Sequence, residues 1–195
     1  LRQNKSMALK LKTAATALAV SLIEAKAHLR VTESHEDTLI TALITAATET
    51  AEQITGRVIM PQTWELTLNA FPEAFELTRM PVASIASLKY HDSVGQLVTM
   101  DEAAYTLDMA DDFGYPLVCP AYATSWPSTL DKTNAVSLIY VAGYANAAAV
   151  PEPIKAWIKL QVGAMFENRE SVNIGNIVTD LGFVDTLLDR YKVYA

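Results

Sequence analysis

Few side chains in this 195-residue sequence have the type and spacing that chemistry needs. The three histidines are His28, His35 and His91. His28 and His35 fall on or near the first two helices read below, yet no cysteine or spaced carboxylate pattern joins them. They read as surface histidines rather than metal ligands. Asp108, Asp111 and Asp112 crowd one loop, as oxygen ligands for a hard cation would, but no regular calcium-loop pattern surrounds them and a solvated turn is expected. Cys119 is the single cysteine, which excludes an intrachain disulfide framework and any multi-cysteine zinc or iron–sulfur site. With no base partner to name, it reads as a small core or rim residue and not as a nucleophile. The seven glycines are scattered, and neither a phosphate-cradling loop, a GxSxG elbow nor an HExxH pair occurs. No metal, cofactor or catalytic residue is therefore expected, and a hydrolase is the weakest reading because no nucleophile–base pair can be assembled.

What remains is the chemistry of recognition. The net charge is −7, from 15 basic and 22 acidic residues, a poor balance for wrapping nucleic acid by phosphate neutralisation. The charge is uneven. Residues 1–20 carry Arg2, Lys5, Lys10 and Lys12 and no acid, whereas residues 61–143 carry three bases and ten acids. Tyr122, Trp126 and Tyr144 lie near expected loops, where aromatics serve as ligand platforms or interface anchors. Packing between a β region and helices is the favoured role, which makes Trp126 and Tyr144 candidate anchors of that packing. Glu167-Asn168-Arg169-Glu170 closes a helix either as a solvated tip or as an inter-subunit ion-pair site.

The elements that hold these residues follow from periodicity. Ser21-Leu22-Ile23-Glu24 is a capping box that opens a short helix ending near Val31. Leu39, Ile40, Leu43, Ile44, Ala47, Ala51 and Ile54 form the apolar stripe of a longer helix, about 36–55, stopped by Gly56. The period then falls to two. Trp64, Leu66 and Leu68 alternate with Thr63, Glu65 and Thr67 as a half-buried strand. Short strands are expected at 75–77, 84–91, 96–100, 105–108 and 117–119, with a hairpin turn at Asp92-Ser93-Val94-Gly95. Residues 135–142 are apolar on both faces, hence a buried strand. A helix begins after Pro151-Glu152-Pro153, residues 173–179 form a loop, and a last helix spans about 180–191. The expected fold class is α+β: a helical bundle of two N-terminal and two C-terminal helices with a small antiparallel β sub-domain inserted. The boundaries are 1–20 for a basic, solvated N-terminal arm, with Met7 a candidate natural start and residues 1–6 then non-native; 21–59 and 144–195 for the helical core; and 60–143 for the insert. The Ala- and Thr-rich stretch 13–20 is too poor in leucine for a secretory signal, and no run approaches the ~18 apolar residues of a membrane helix.

Taken in order, Ala25-Lys26-Ala27-His28-Leu29-Arg30-Val31, Thr55-Gly56-Arg57, Gln62-Thr63-Trp64-Glu65-Leu66, Ser125-Trp126-Pro127, Tyr140-Val141-Ala142-Gly143-Tyr144, Val150-Pro151-Glu152-Pro153-Ile154-Lys155 and Phe166-Glu167-Asn168-Arg169-Glu170 resemble the head–tail connector (adaptor) proteins of tailed bacteriophages and prophages, in the longer form with a β insert. The resemblance runs from about Met7 to the C-terminus. It departs at Thr13-Ala14-Ala15, where a proline-rich stretch would stand. It implies a structural, non-enzymatic ring of about twelve subunits, possible also as a monomer before assembly. The ring sits beneath the portal protein, receives a head-closure or tail-completion protein, and encloses a channel through which DNA passes without sequence-specific contact. It implies the virion neck, reached from the host cytoplasm, and no membrane. Given a ring, Arg30, Arg57, Glu167, Arg169 and Glu170 are candidate inter-subunit ion-pair residues, and Leu187, Leu188, Tyr191, Val193 and Tyr194 are candidate portal-docking residues. The competing readings are a protein- or glycan-binding module that uses the insert and a DNA-packaging or DNA-binding protein that uses the basic arm; the acid excess on the second helix speaks against the latter.

Overall fold

A computed structural model describes residues 7–109, 114–168 and 183–193. Among these, four α-helices and eight strands, all pairing antiparallel, make an α+β protein. The described residues divide into two compact units, one drawn from 16–60 and 144–193, the other from 7–15 and 61–143.

The first unit is helical. Helix α1 (Leu22–Leu29) opens on the expected capping box: the Ser21 Oγ accepts from the Glu24 N–H at 3.2 Å, and the Glu24 carboxylate accepts from the Ser21 N–H at 2.8 Å. These bonds hold the Glu24 carboxyl below its ordinary pKa. Arg30 closes the helix in the left-handed region at φ 58°. Helix α2 (Asp37–Thr55) buries Ile40, Ile44, Ala47, Ala51 and Thr55 along one stripe. Its other threonines are accommodated because Thr41, Thr45, Thr48 and Thr50 each donate to the carbonyl four residues back, which hides the hydroxyl's polarity inside the helix. Helix α3 (Glu152–Glu167) carries Pro153 in its first turn and buries Ile154, Trp157, Ile158 and Val162. Helix α4 (Phe183–Asp189) packs on α2 and α3, and α1 packs on both α2 and α3. Lys26 Nζ meets Asp37 Oδ1 at 2.6 Å and ties α1 to the start of α2. The expected loop at 173–179 and the first turn of the expected last helix lie outside the described residues.

The second unit holds two sheets. Strands β1 (Met7–Thr13), β2 (Gln62–Leu68), β8 (Val136–Ala142), β4 (Val82–His91) and β5 (Leu97–Thr99) form one sheet in that spatial order; β3 (Phe75–Glu76), β7 (Leu117–Pro120) and β6 (Tyr105–Asp108) form the other. Pairing register sets the core. Leu66 stands opposite Leu138, Leu68 opposite Val136 and Trp64 opposite Tyr140, so these side chains share one face, and all but Trp64 are buried. β8 alternates between buried and half-buried positions; it lies mid-sheet, and only one of its faces is fully covered. An aromatic row adds to this unit: Phe71 stacks on Trp126 at 4.6 Å and meets Tyr90 edge-on at 5.7 Å, with Phe75 tilted against Trp126 at 6.0 Å.

One feature differs from the sequence expectation. Residues 7–13 are not a free arm but strand β1, paired with β2 from Met7 opposite Leu68 to Thr13 opposite Thr63. Met7, Leu9 and Leu11 alternate with Ala8, Lys10 and Lys12, a period of two that fits a pleated strand, and β2 has an open edge to fill. The β region holds two sheets, because the short strands β3, β6 and β7 pair only among themselves.

Tyr140 is completely buried. Its hydroxyl lacks a hydrogen-bond partner of good geometry, and burial pushes its pKa up to about 12, against a weaker opposing pull from the backbone and charge of Arg79. The native state therefore keeps this proton where the unfolded chain, near 10.0, releases it. The stabilisation is complete below about pH 10 and is lost as pH climbs toward 12. Tyr140→Phe should leave stability at pH 7 within about 1 kcal/mol, since no hydrogen bond is lost, and should flatten the decline between pH 10 and 12. Urea unfolding across that range measures both.

Candidate functional site

The helical unit is closed by a corner at the end of α2. Gly56 takes φ 71° and donates its N–H to the Glu52 carbonyl at 2.9 Å. The chain then turns through Arg57, Val58, Ile59 and Met60, all buried. The Glu52 carboxylate accepts from the Ile59 N–H at 2.7 Å, and the Ile59 carbonyl accepts from the Tyr144 N–H at 3.1 Å. The same corner receives the C-terminal segment after α4. Arg57 Nε donates to the Tyr191 carbonyl at 2.7 Å, and the Val193 N–H donates to the Thr55 carbonyl at 2.9 Å. Burial pushes the Tyr144 phenol up, with Arg57 opposing and Tyr191 adding to the shift. Arg57, Tyr144, Tyr191 and Val193 thus meet at one place.

That arrangement redirects several expectations. Arg57 was read as an inter-subunit ion-pair residue; it is 8% exposed and serves its own chain. Leu188 is fully buried in the helical unit and spends its side chain on that core. Leu187, Tyr191 and Val193 are half-buried, while Arg30 and Glu167 are exposed. Arg169, Glu170 and Tyr194 lie outside the described residues. Tyr144 stands at the helical corner. Trp126 stacks within the β unit and donates its Nε1–H to the Glu73 carbonyl at 3.1 Å.

Around Trp126 an open groove of about 880 Å³ is lined by Glu73, Cys119, Tyr122, Thr124 and Ser125 among others. Tyr122 is 99% exposed, and Ala123 beside it takes φ 60°. Cys119 is half-buried with its Sγ 3.7 Å from the Thr106 carbonyl. His28 and His35 are exposed and Asp108 is exposed, whereas Asp111 and Asp112 lie outside the described residues. Among the described residues no group of three His, Cys, Asp or Glu side chains can hold a metal, and no helix is long and apolar enough to cross a membrane. Sequence reasoning missed the Arg79 guanidinium seated 4.7 Å over the Trp64 ring; the residues are 15 apart and only the fold joins them.

Residues 19–93 match the family model of the phage gp6-like head-tail connector proteins, so the resemblance read from the sequence is shown over this stretch. No curated protein matches the chain. Among solved structures, the chain is similar to one in the neck of an empty gene transfer agent (GTA) particle with C6 symmetry, at 23% identity, with 96% of each chain covered and a TM-score of 0.76. A chain of the native GTA virion gives 22% identity, the same coverage and a TM-score of 0.76. One in the native GTA neck with C12 symmetry gives 21%, the same coverage and 0.74. These likenesses show a common fold along nearly the whole chain.

Removing the Arg57 guanidinium should free the C-terminal segment. Arg57→Ala is expected to lower stability by about 2 kcal/mol, the scale of a charged hydrogen bond, and to speed hydrogen exchange at the Val193 amide far more than at amides in the middle of α3. Native-state exchange followed by NMR reads both.

Proposed function

We propose that this protein is a structural head–tail connector subunit, not an enzyme, in a tailed-phage or phage-like particle. It forms a ring of about twelve copies beneath the portal protein. The ring extends the DNA channel and presents the docking surface for a head-closure or tail-completion protein. The observation that carries this reading is the shared fold with chains of GTA necks, covering 96% of both chains, one of those necks having C12 symmetry. The family match over residues 19–93 agrees with it. On this reading the helical unit is the connector core and the β unit an insert within it. The protein's place is the virion neck, with the host cytoplasm as the place of assembly.

A ring of identical copies needs two different, complementary faces on each subunit. Arg30, Arg57 and Glu167 are the described members of the proposed ion-pair set, Arg30 and Glu167 exposed and Arg57 buried, with Arg169 and Glu170 beside Glu167 in sequence. Leu187, Tyr191 and Val193 remain the proposed portal-facing residues. A channel wall drawn from a chain of net charge −7 repels phosphate and lets DNA slide. The open groove at Trp126 favours a second reading, in which the β unit binds a protein or glycan.

Light scattering across a concentration series, with the chain alone and mixed with the particle's portal protein, tests the ring. A closed species of about twelve subunits in either sample is the expected outcome. A two-fold dimer, or a monomer that stays monomeric in the presence of portal, contradicts it.

A further inference from the structure

The five-stranded sheet has two unlike edges. Strand β1 is one and β5 the other, with β2, β8 and β4 between them. Four inter-strand steps of about 4.8 Å put them roughly 19 Å apart. Among the described residues, each edge leaves outward-pointing backbone N–H and C=O groups with no partner strand in this sheet, a template that proteins normally cover or blunt.

The β1 edge is apolar and basic. Met7, Leu9 and Leu11 stand opposite Leu68, Leu66 and Trp64, on the face where the core lies. Leu66 and Leu68 are buried, yet Met7 is 46% and Leu11 41% exposed. The apolar face of the sheet therefore runs out past its own cover. Lys10 and Lys12 are exposed on the other face, and residues 1–20 hold no acid. The β5 edge is apolar and acidic. Leu97 is 60% exposed and Val94, in the turn before it, 76%. Asp101 and Glu102 follow the strand and are exposed. Residues 92–131 contain seven acids and no base.

We propose that these edges dock on each other between copies: the β1 edge of one subunit lies against the β5 edge of the next and continues the sheet around the ring. An acidic partner such as DNA would fit the lysines of β1 and leave β5 uncovered. A second copy of this chain covers both edges, matches apolar to apolar and basic to acidic, and does so head-to-tail, the one geometry that closes a ring of many copies. The inference rests on the ring reading above and names the contact that builds it.

Two variants test it, one at each edge. Leu97→Lys with Glu102→Lys changes side chains that are exposed in the single chain and are separated from β1 by three strands. Lys10→Ser with Lys12→Ser removes the charge of the other edge; the Lys12–Glu65 pair it breaks is a 3.7 Å contact at the surface and contributes little to folding. Circular dichroism checks that each variant remains folded. Light scattering should then show that each needs at least tenfold higher concentration than the wild type to assemble. Rings that form from both variants at wild-type concentrations overturn the edge contact and leave the ring reading standing. A wild-type chain that forms no ring, alone or with portal, overturns both.

Discussion

The left-handed turn at Gly56 is the constraint on which the helical unit depends. A residue with a Cβ would carry a penalty of roughly 1–2 kcal/mol in that conformation. The turn ends α2 and sends the next four residues, 57–60, into the interior. There the backbone loses water and must find partners. Glu52 supplies one from inside the helix, by accepting from the Ile59 N–H. The remaining groups at the corner are matched by residues from the far end of the sequence: the Thr55 carbonyl by Val193, and the Arg57 guanidinium by the Tyr191 carbonyl. The placement of residues 191–193 is thus a consequence of how α2 stops.

A different constraint governs the β unit, the two-residue period of a pleated strand. It sorts Leu66, Leu68, Val136, Leu138 and Tyr140 to one face through register alone. An open sheet always retains two edges, and here they differ in charge. On the proposed ring reading, copies arranged head-to-tail cover both edges.

Local signals were legible in the sequence and distant ones were not. The Ser21–Glu24 box, the Gly56 stop, the Asp92–Gly95 turn and the alternation in β2 each lie within a few residues, and each appears in the structure where its spacing puts it. Strand β1 was hidden because its meaning depends on β2, more than fifty residues later; alone, a basic segment of alternating residues looks like a solvated arm. The intrachain partner of Arg57 was out of reach for the same reason. An arginine after a helix stop reads as a surface charge until a carbonyl 134 residues away covers it. The partners of Trp126 within the β unit, Phe71 and Glu73, stand more than fifty residues earlier and were not legible. On the proposed ring reading this limit is severe, since a surface completed by another copy leaves no local motif.

The central claim is that identical copies of this chain join through unlike faces into a closed ring. Cryo-electron microscopy of the chain assembled on its portal tests this most directly. The account expects a single ring in which every subunit meets its two neighbours through different surfaces, related by rotation about the channel axis. Subunits paired face to face about two-fold axes, or scattered on the portal without contact with one another, would contradict it.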